Sequence, residues 1–288
     1  MFLFFVLPLT MKNGMPYVTE EGGDLLVDSG AASTYLRRAL LETDGPVATR
    51  ARGAGGVAVE RTNLQLPSDV AGILGFDWLG AGSSWELDLV EGSLRVDEPE
   101  SAGGFDGAGA LELTARDLGG TRPYPTVAVD VYGASDCVVA ALVDTGSPAT
   151  IANEALAAAA GLFPGDDDGD DAIASRGAVG ELVGLRRCRA SGLVLGGRLE
   201  RPGLDVLVGD LPQWGQLDAT SASPALLLGL DALGSRIRAA KRPPPRKKSR
   251  AVAVDADGAP RRRKKSRADL RLDPPRAGDV WSLTLGRR

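Results

Sequence analysis

One motif occurs twice in this chain and limits its fold more than any other feature. Leu25-Leu26-Val27-Asp28-Ser29-Gly30-Ala31 returns as Ala141-Leu142-Val143-Asp144-Thr145-Gly146-Ser147. Each copy is an apolar run that delivers an aspartate into a tight turn, followed by a hydroxyl residue, a glycine and a small residue. Each also has the same downstream companion, an apolar pair and a glycine: Ile73-Leu74-Gly75-Phe76-Asp77-Trp78-Leu79 after the first and Leu227-Leu228-Gly229-Leu230-Asp231-Ala232-Leu233 after the second. A single aspartate of this kind is an ordinary turn residue. Two, each with its companion, describe a duplicated unit and a pair of carboxylates.

Composition narrows the chemistry such a pair can do. The 288 residues include no His, which removes Ser-His-Asp and Cys-His catalysis and the commonest zinc ligand. Acid–base work falls to carboxylates, Tyr, Lys or Cys. The two cysteines, Cys137 and Cys188, are too few for a disulfide framework and lack metal-ligand spacing. Thirty-eight Gly and 18 Pro favour many turns, which suits β structure.

Two carboxylates a few ångströms apart cannot both ionise, so they share a proton. One can then take a proton from water while the other protonates a carbonyl oxygen. The flanking residues suit that arrangement. Gly30 and Gly146 let the turns bring an N–H close to a carboxylate, and the Ser29 and Thr145 hydroxyls can tie the two turns together. Ser147 offers a hydroxyl to an outer oxygen of Asp144, where Ala31 offers Asp28 none. Hydrogen bonding favours the ionised form, so this reading places the shared proton on Asp28.

With these residues in view, the chain resembles the retropepsin-like aspartic peptidases, with two lobes in tandem. Asp28–Ala31 and Asp144–Ser147 match the catalytic turn, and Gly75 and Gly229 match the late apolar-apolar-Gly strand. The flap hairpins are matched more loosely by Gly53–Glu60 and Gly177–Glu181, with Gly55, Gly56, Val179 and Gly180 as the candidate tip residues. The resemblance implies an all-β fold of two retropepsin- or pepsin-like lobes, forming a bilobal pseudo-dimer with a substrate cleft between them. It implies that Asp28 and Asp144 are catalytic, that Ser29, Gly30, Ala31, Thr145, Gly146 and Ser147 support their turns, and that no metal or cofactor is needed. The activity it implies is aspartic endopeptidase hydrolysis of an extended peptide or unfolded protein. The alternative is a degenerate, non-catalytic peptide-binding module of the same fold. The chain departs from a strict repeat in one respect. From Asp28 to Gly75 is 47 positions and from Asp144 to Gly229 is 85, so lobe one is expected to lack the strand pair that Leu193–Val208 supplies in lobe two.

The expected boundaries are a first lobe at 1–98, a linker at 99–122 rich in Gly, Ala and acidic residues, and a second lobe at 123–288. Within the linker, Leu111–Thr114 alternates and reads as a bridging strand. Val6–Lys12 is expected to open lobe one as Thr126–Tyr132 opens lobe two. Tyr35–Leu41 reads as a helical turn, Asn153–Ala160 as a short helix, and Trp85–Val96 as a hairpin broken at Gly92-Ser93.

Residues 241–271 hold 13 of the 33 Lys and Arg but only 3 of the 38 Asp and Glu, so the rest of the chain is strongly acidic. Within them Pro245–Ala251 is nearly repeated by Arg262–Ala268. This basic segment, at about 241–268, reads as a disordered insertion. It is placed between the Gly229 motif and a last hairpin made by Ala268–Asp273 and Val280–Leu283. No nucleic acid is expected as a partner, although the insertion leaves that open. The start, Met1–Leu9, lacks the basic region and cleavage site of a signal peptide. An intracellular monomer with pseudo-two-fold lobes and no membrane partner is therefore expected.

Overall fold

The computed structural model describes residues 5–20, 23–37, 66–80, 84–96, 107–116, 124–164, 173–176, 182–212, 214, 223–241 and 280–286. They form an all-β, bilobal fold. Lobe one comprises β1 (Phe5–Lys12), β2 (Met15–Glu20), β3 (Gly23–Val27), β4 (Tyr35–Leu36), β5 (Val70–Leu74), the helical turn α1 (Phe76–Leu79), β6 (Ser84–Asp88) and β7 (Ser93–Val96). β8 (Gly107–Arg116) bridges to lobe two, which begins with β9 (Tyr124–Tyr132), β10 (Asp136–Val143), β11 (Ile151–Ala152) and α2 (Glu154–Ala160). It continues through β12 (Phe163–Pro164), β13 (Ile173–Arg176), β14 (Leu182–Leu195) and β15 (Leu199–Val208). β16 (Leu226–Leu228), α3 (Leu230–Leu233), β17 (Arg236–Lys241) and β18 (Val280–Gly286) complete it.

The same weave occurs in each lobe. β3 runs parallel to β5, with Leu26 opposite Ile73, and β10 runs parallel to β16, with Leu142 opposite Leu227. β4 then returns antiparallel on β5, and β11 on β16. Each aspartate therefore leaves the end of a central strand whose side chains are buried on both faces: Leu25, Leu26 and Val27 in one lobe, Ala141, Leu142 and Val143 in the other. Such two-sided burial is why both runs are continuously apolar.

A second sheet joins the lobes. Its strand order is β1, β7, β6, β17, β18, β8, β9, and lobe one meets lobe two where β6 lies antiparallel to β17. Trp85, 1 % exposed, faces Ala239 across that seam, a large residue opposite a small one. On the same two strands Arg236 Nε donates to Asp88 Oδ2 at 2.7 Å, and Arg238 lies 4.0 Å from Glu86. The apolar core is continuous across the seam, running from Val27, Trp78 and Leu87 to Leu228, Ile237 and Leu283. Each wholly buried leucine in it contributes about 2 kcal/mol.

Four expectations need correction or refinement. Val6–Lys12 is not the counterpart of Thr126–Tyr132. Asn13 and Gly14 both have positive φ, 51° and 77°, and form a tight hairpin turn that places β2 between β1 and β3. β2 pairs with the Asp28 strand as β9 pairs with the Asp144 strand, so β1 corresponds to β8. Tyr35–Leu36 is strand, not helix, because the backbone ladder with Gly72 and Ile73 outweighs local preference. Leu193–Gly197 and Asp205–Val208 belong to the longer strands β14 and β15, which pair with each other. The final hairpin consists of β17 and β18, with Lys241 opposite Trp281. The basic segment therefore lies in the connection within that hairpin and does not precede it. Residues 242–279 lie outside the described residues, as do Ala268–Asp273.

The bridging strand, the short helix and the hairpin of Trp85–Val96 occur as read. Asn153 caps the helix by accepting from Leu156 N at 2.9 Å, and Gly161 ends it in the left-handed region. Among the described residues, no helix is long and apolar enough to cross a membrane.

Candidate active site

β3 and β10 each end in a turn that meets the other lobe, and the two turns interlock. Ser29 Oγ donates to the Val143 carbonyl at 2.7 Å and accepts from Thr145 N at 3.1 Å. Thr145 Oγ1 donates to the Val27 carbonyl at 2.9 Å and accepts from Ser29 N at 3.0 Å. Both side chains are fully buried. The four bonds pair each hydroxyl with the other lobe's backbone, as the sequence suggested. A buried donor or acceptor left unpaired costs about 1–3 kcal/mol, so the set fixes the two turns relative to each other.

That register brings the two aspartates into contact. Asp28 and Asp144 are hydrogen-bonded to one another through their carboxyl groups, and both are half-buried. Asp28 Oδ1 accepts from Ala31 N at 2.9 Å, and Asp144 Oδ1 accepts from Gly146 N at 2.8 Å, while the Gly30 N–H lies against both carboxylates. The glycines are sterically required. A Cβ on Gly30 would lie 2.6 Å from Asp144 Oδ1, and one on Gly146 would lie 2.6 Å from Asp28 Cγ. Each glycine makes room for the other lobe's carboxylate.

Burial raises both carboxyls above the ordinary range. At Asp144 the neighbouring Asp28 charge adds to burial and holds it well above that range. Two carboxyls raised in this way share one proton between them. The expected stabilisation of the Asp144 anion by Ser147 fails for a geometric reason: Ser147 Oγ donates to the Ala149 carbonyl at 2.7 Å.

Four residues whose role the sequence reading missed complete the site, three of them buried and Asp231 half-buried. Thr34 Oγ1 donates to Asp77 Oδ1 at 2.7 Å, and Thr150 Oγ1 donates to Asp231 Oδ1 at 2.6 Å. The duplication carried the signal. Both threonines stand six positions after their aspartate, and both acids stand two after Gly75 or Gly229, the glycine that follows the hub strand β5 or β16.

The flap candidates Gly55, Gly56, Val179 and Gly180 lie outside the described residues. A cavity of about 430 Å³ lies elsewhere, lined by Leu89, Leu204, Leu230, Asp231, Gly234 and Ser235 behind the hub of lobe two. The dyad does not line it.

No family model matches the chain, and no curated protein matches it. Among solved structures it is similar to the basic 7S globulin from soybean, at 11 % identity and a TM-score of 0.43. That match covers 82 % of this chain and 95 % of the globulin.

Proposed function

We propose that the protein is an aspartic endopeptidase in which Asp28 and Asp144 activate water for attack on a peptide bond. One observation carries the reading: two half-buried carboxyls in hydrogen-bonded contact, each given room by the other lobe's glycine. The ionised member of the pair takes a proton from water as the oxygen attacks the carbonyl carbon, and the protonated member gives its proton to the carbonyl oxygen. The tetrahedral intermediate then collapses. The proton taken from water passes to the departing nitrogen, and the hydroxyl proton of the intermediate returns to the carboxylate that first gave its own. No metal or cofactor takes part in these steps.

The substrate is an extended segment of an unfolded protein, lying as a strand between the lobes of a single chain. Fusing the lobes makes the meeting of the two aspartates intramolecular, so a second chain is not needed. The test is cleavage of a denatured protein at mildly acid pH by the full chain and by Asp28→Asn. Cleavage by the first and none by the second supports the reading. Binding of the unfolded protein without cleavage would instead identify a non-catalytic peptide-binding module.

A further inference from the structure

The mechanism uses two carboxylates and leaves two others without a task. Asp77 is 1 % exposed, and Thr34 and Thr150 are fully buried. A buried carboxylate needs donors, or its desolvation is costly. Here the donors form a directed chain. Asp28 N–H donates to the Leu74 carbonyl at 3.0 Å. The same peptide unit carries the Gly75 N–H, which donates to Thr34 Oγ1 at 3.1 Å, and Thr34 Oγ1 donates to Asp77 Oδ1 at 2.7 Å.

Lobe two repeats the chain. Asp144 N–H donates to the Leu228 carbonyl at 3.0 Å, Gly229 N–H to Thr150 Oγ1 at 3.2 Å, and Thr150 Oγ1 to Asp231 Oδ1 at 2.6 Å. Asp231 Oδ2 also accepts from Thr150 N at 3.0 Å. Every donor points the same way, so each bond polarises the next, and a charged final acceptor strengthens the last link. Only a hydroxyl can accept and donate at the middle position. The glycine cannot be replaced either, since a Cβ on Gly75 would lie 2.5 Å from the Ser33 carbonyl oxygen.

From these two chains we infer that Asp77 and Asp231 are positioning residues of the dyad. Each anchors the backbone N–H of its own lobe's aspartate through a threonine hydroxyl and the hub peptide. The inference rests on the peptidase reading for its effect on turnover. Loosening either chain displaces one carboxyl relative to the other while leaving the substrate-binding surface alone, so turnover should fall and KM should not move.

The test compares full-length Thr34→Val, Thr34→Ser and Asp77→Asn, with the matching changes at Thr150 and Asp231. Three readouts are taken: the melting temperature, kcat and KM on an unfolded protein, and the pH titration of the Asp28 and Asp144 carboxyl carbons by NMR. Thr34→Val is expected to lower kcat by about 10–100-fold at nearly constant KM, the size of effect that small misplacements produce. It should also displace the coupled titration, and Thr34→Ser should restore most of both. If Thr34→Val does not fold, Asp77→Asn, which keeps the shape and an acceptor, is read in the same way. A folded valine or asparagine variant with the wild-type titration and kcat would overturn the inference, as would a serine variant as impaired as the valine. If the wild type never cleaves but the titration still moves, the peptidase reading fails and the anchoring stands. If the wild type cleaves and the variants match it, the reverse holds.

Discussion

The two lobes agree closely in one region and differ in another. At the aspartate turns they share four contacts: hydroxyl to the opposite backbone, aspartate N–H to β5 or β16, glycine against the opposite carboxyl, and threonine to the acid after the β5 or β16 glycine. At the seam the symmetry breaks. β6 of lobe one brings Trp85, Glu86 and Asp88, while β17 of lobe two brings Ala239, Arg238 and Arg236. Large faces small and acid faces base, so each strand complements the other and not itself. A second β6 in place of β17 would leave Glu86 and Asp88 without Arg238 and Arg236 at this seam. The difference teaches that the proposed chemistry draws on a symmetric pair of turns, whereas keeping the right lobes together draws on an asymmetric join.

The largest stability effect should come from breaking that join. Trp85→Ala removes a fully buried ring opposite Ala239 and should cost about 3–5 kcal/mol, read by denaturant unfolding. A loss under 1 kcal/mol would mean that the seam does not depend on its large–small pairing. Next come the hydroxyls that bind the two turns. Ser29→Ala and Thr145→Val each remove one donor and one acceptor from buried partners, and each should cost about 2–4 kcal/mol. The two losses should be similar, because the bonds are symmetric. A marked inequality would show that one turn carries the other.

Titration separates the two regions by sign. A carboxyl raised in the folded protein lowers stability as pH climbs from the ordinary carboxylate range through its raised value. Asp144→Asn should therefore raise the melting temperature at neutral pH, with the gain vanishing in acid. Asp88 is the opposite case. Burial works against its charge, but Arg236 and the Val90 and Glu91 amides outweigh burial and hold it below the ordinary range. Its stabilisation is present above the ordinary carboxylate range and is lost as pH falls through the lowered value. Asp88→Asn should therefore lower the neutral-pH melting temperature and flatten the acid limb. Melting curves of both variants across pH check the signs.

The smallest effect should come from replacing residues 242–279 with a short Gly/Ser turn between β17 and β18. Closure entropy changes by about 0.6 kcal/mol per doubling of loop length, so melting should rise slightly. A collapse of stability would show that the basic segment packs onto the sheet.

Much of this was legible in the sequence because duplication marks geometry. The Asp28 and Asp144 strands, their hubs and the hydroxyls that tie them were all visible as paired motifs. Thr34, Asp77, Thr150 and Asp231 were equally paired but were passed over, since buried polar residues look like ordinary turn residues until their partners are seen. The Asn13-Gly14 turn was also in plain view, and reading it would have assigned β1 and β2 correctly. What the sequence could not show was long-range: β17 pairs with β6 and with β18 across 38 intervening residues, which no local pattern encodes. That Ser147 turns to the Ala149 carbonyl and not to Asp144 is likewise a matter of side-chain rotation.

The central claim is that two symmetric turns, held together by an asymmetric seam, make one catalytic unit. Cleavage of a denatured protein by Asp28→Asn, by Asp144→Asn and by the double variant tests it most directly. The account predicts that each single change lowers kcat by about a thousandfold or more and that the double change is no worse, as for groups that act as a unit. Appreciable cleavage by either single variant, or a double loss equal to the product of the two, would contradict it.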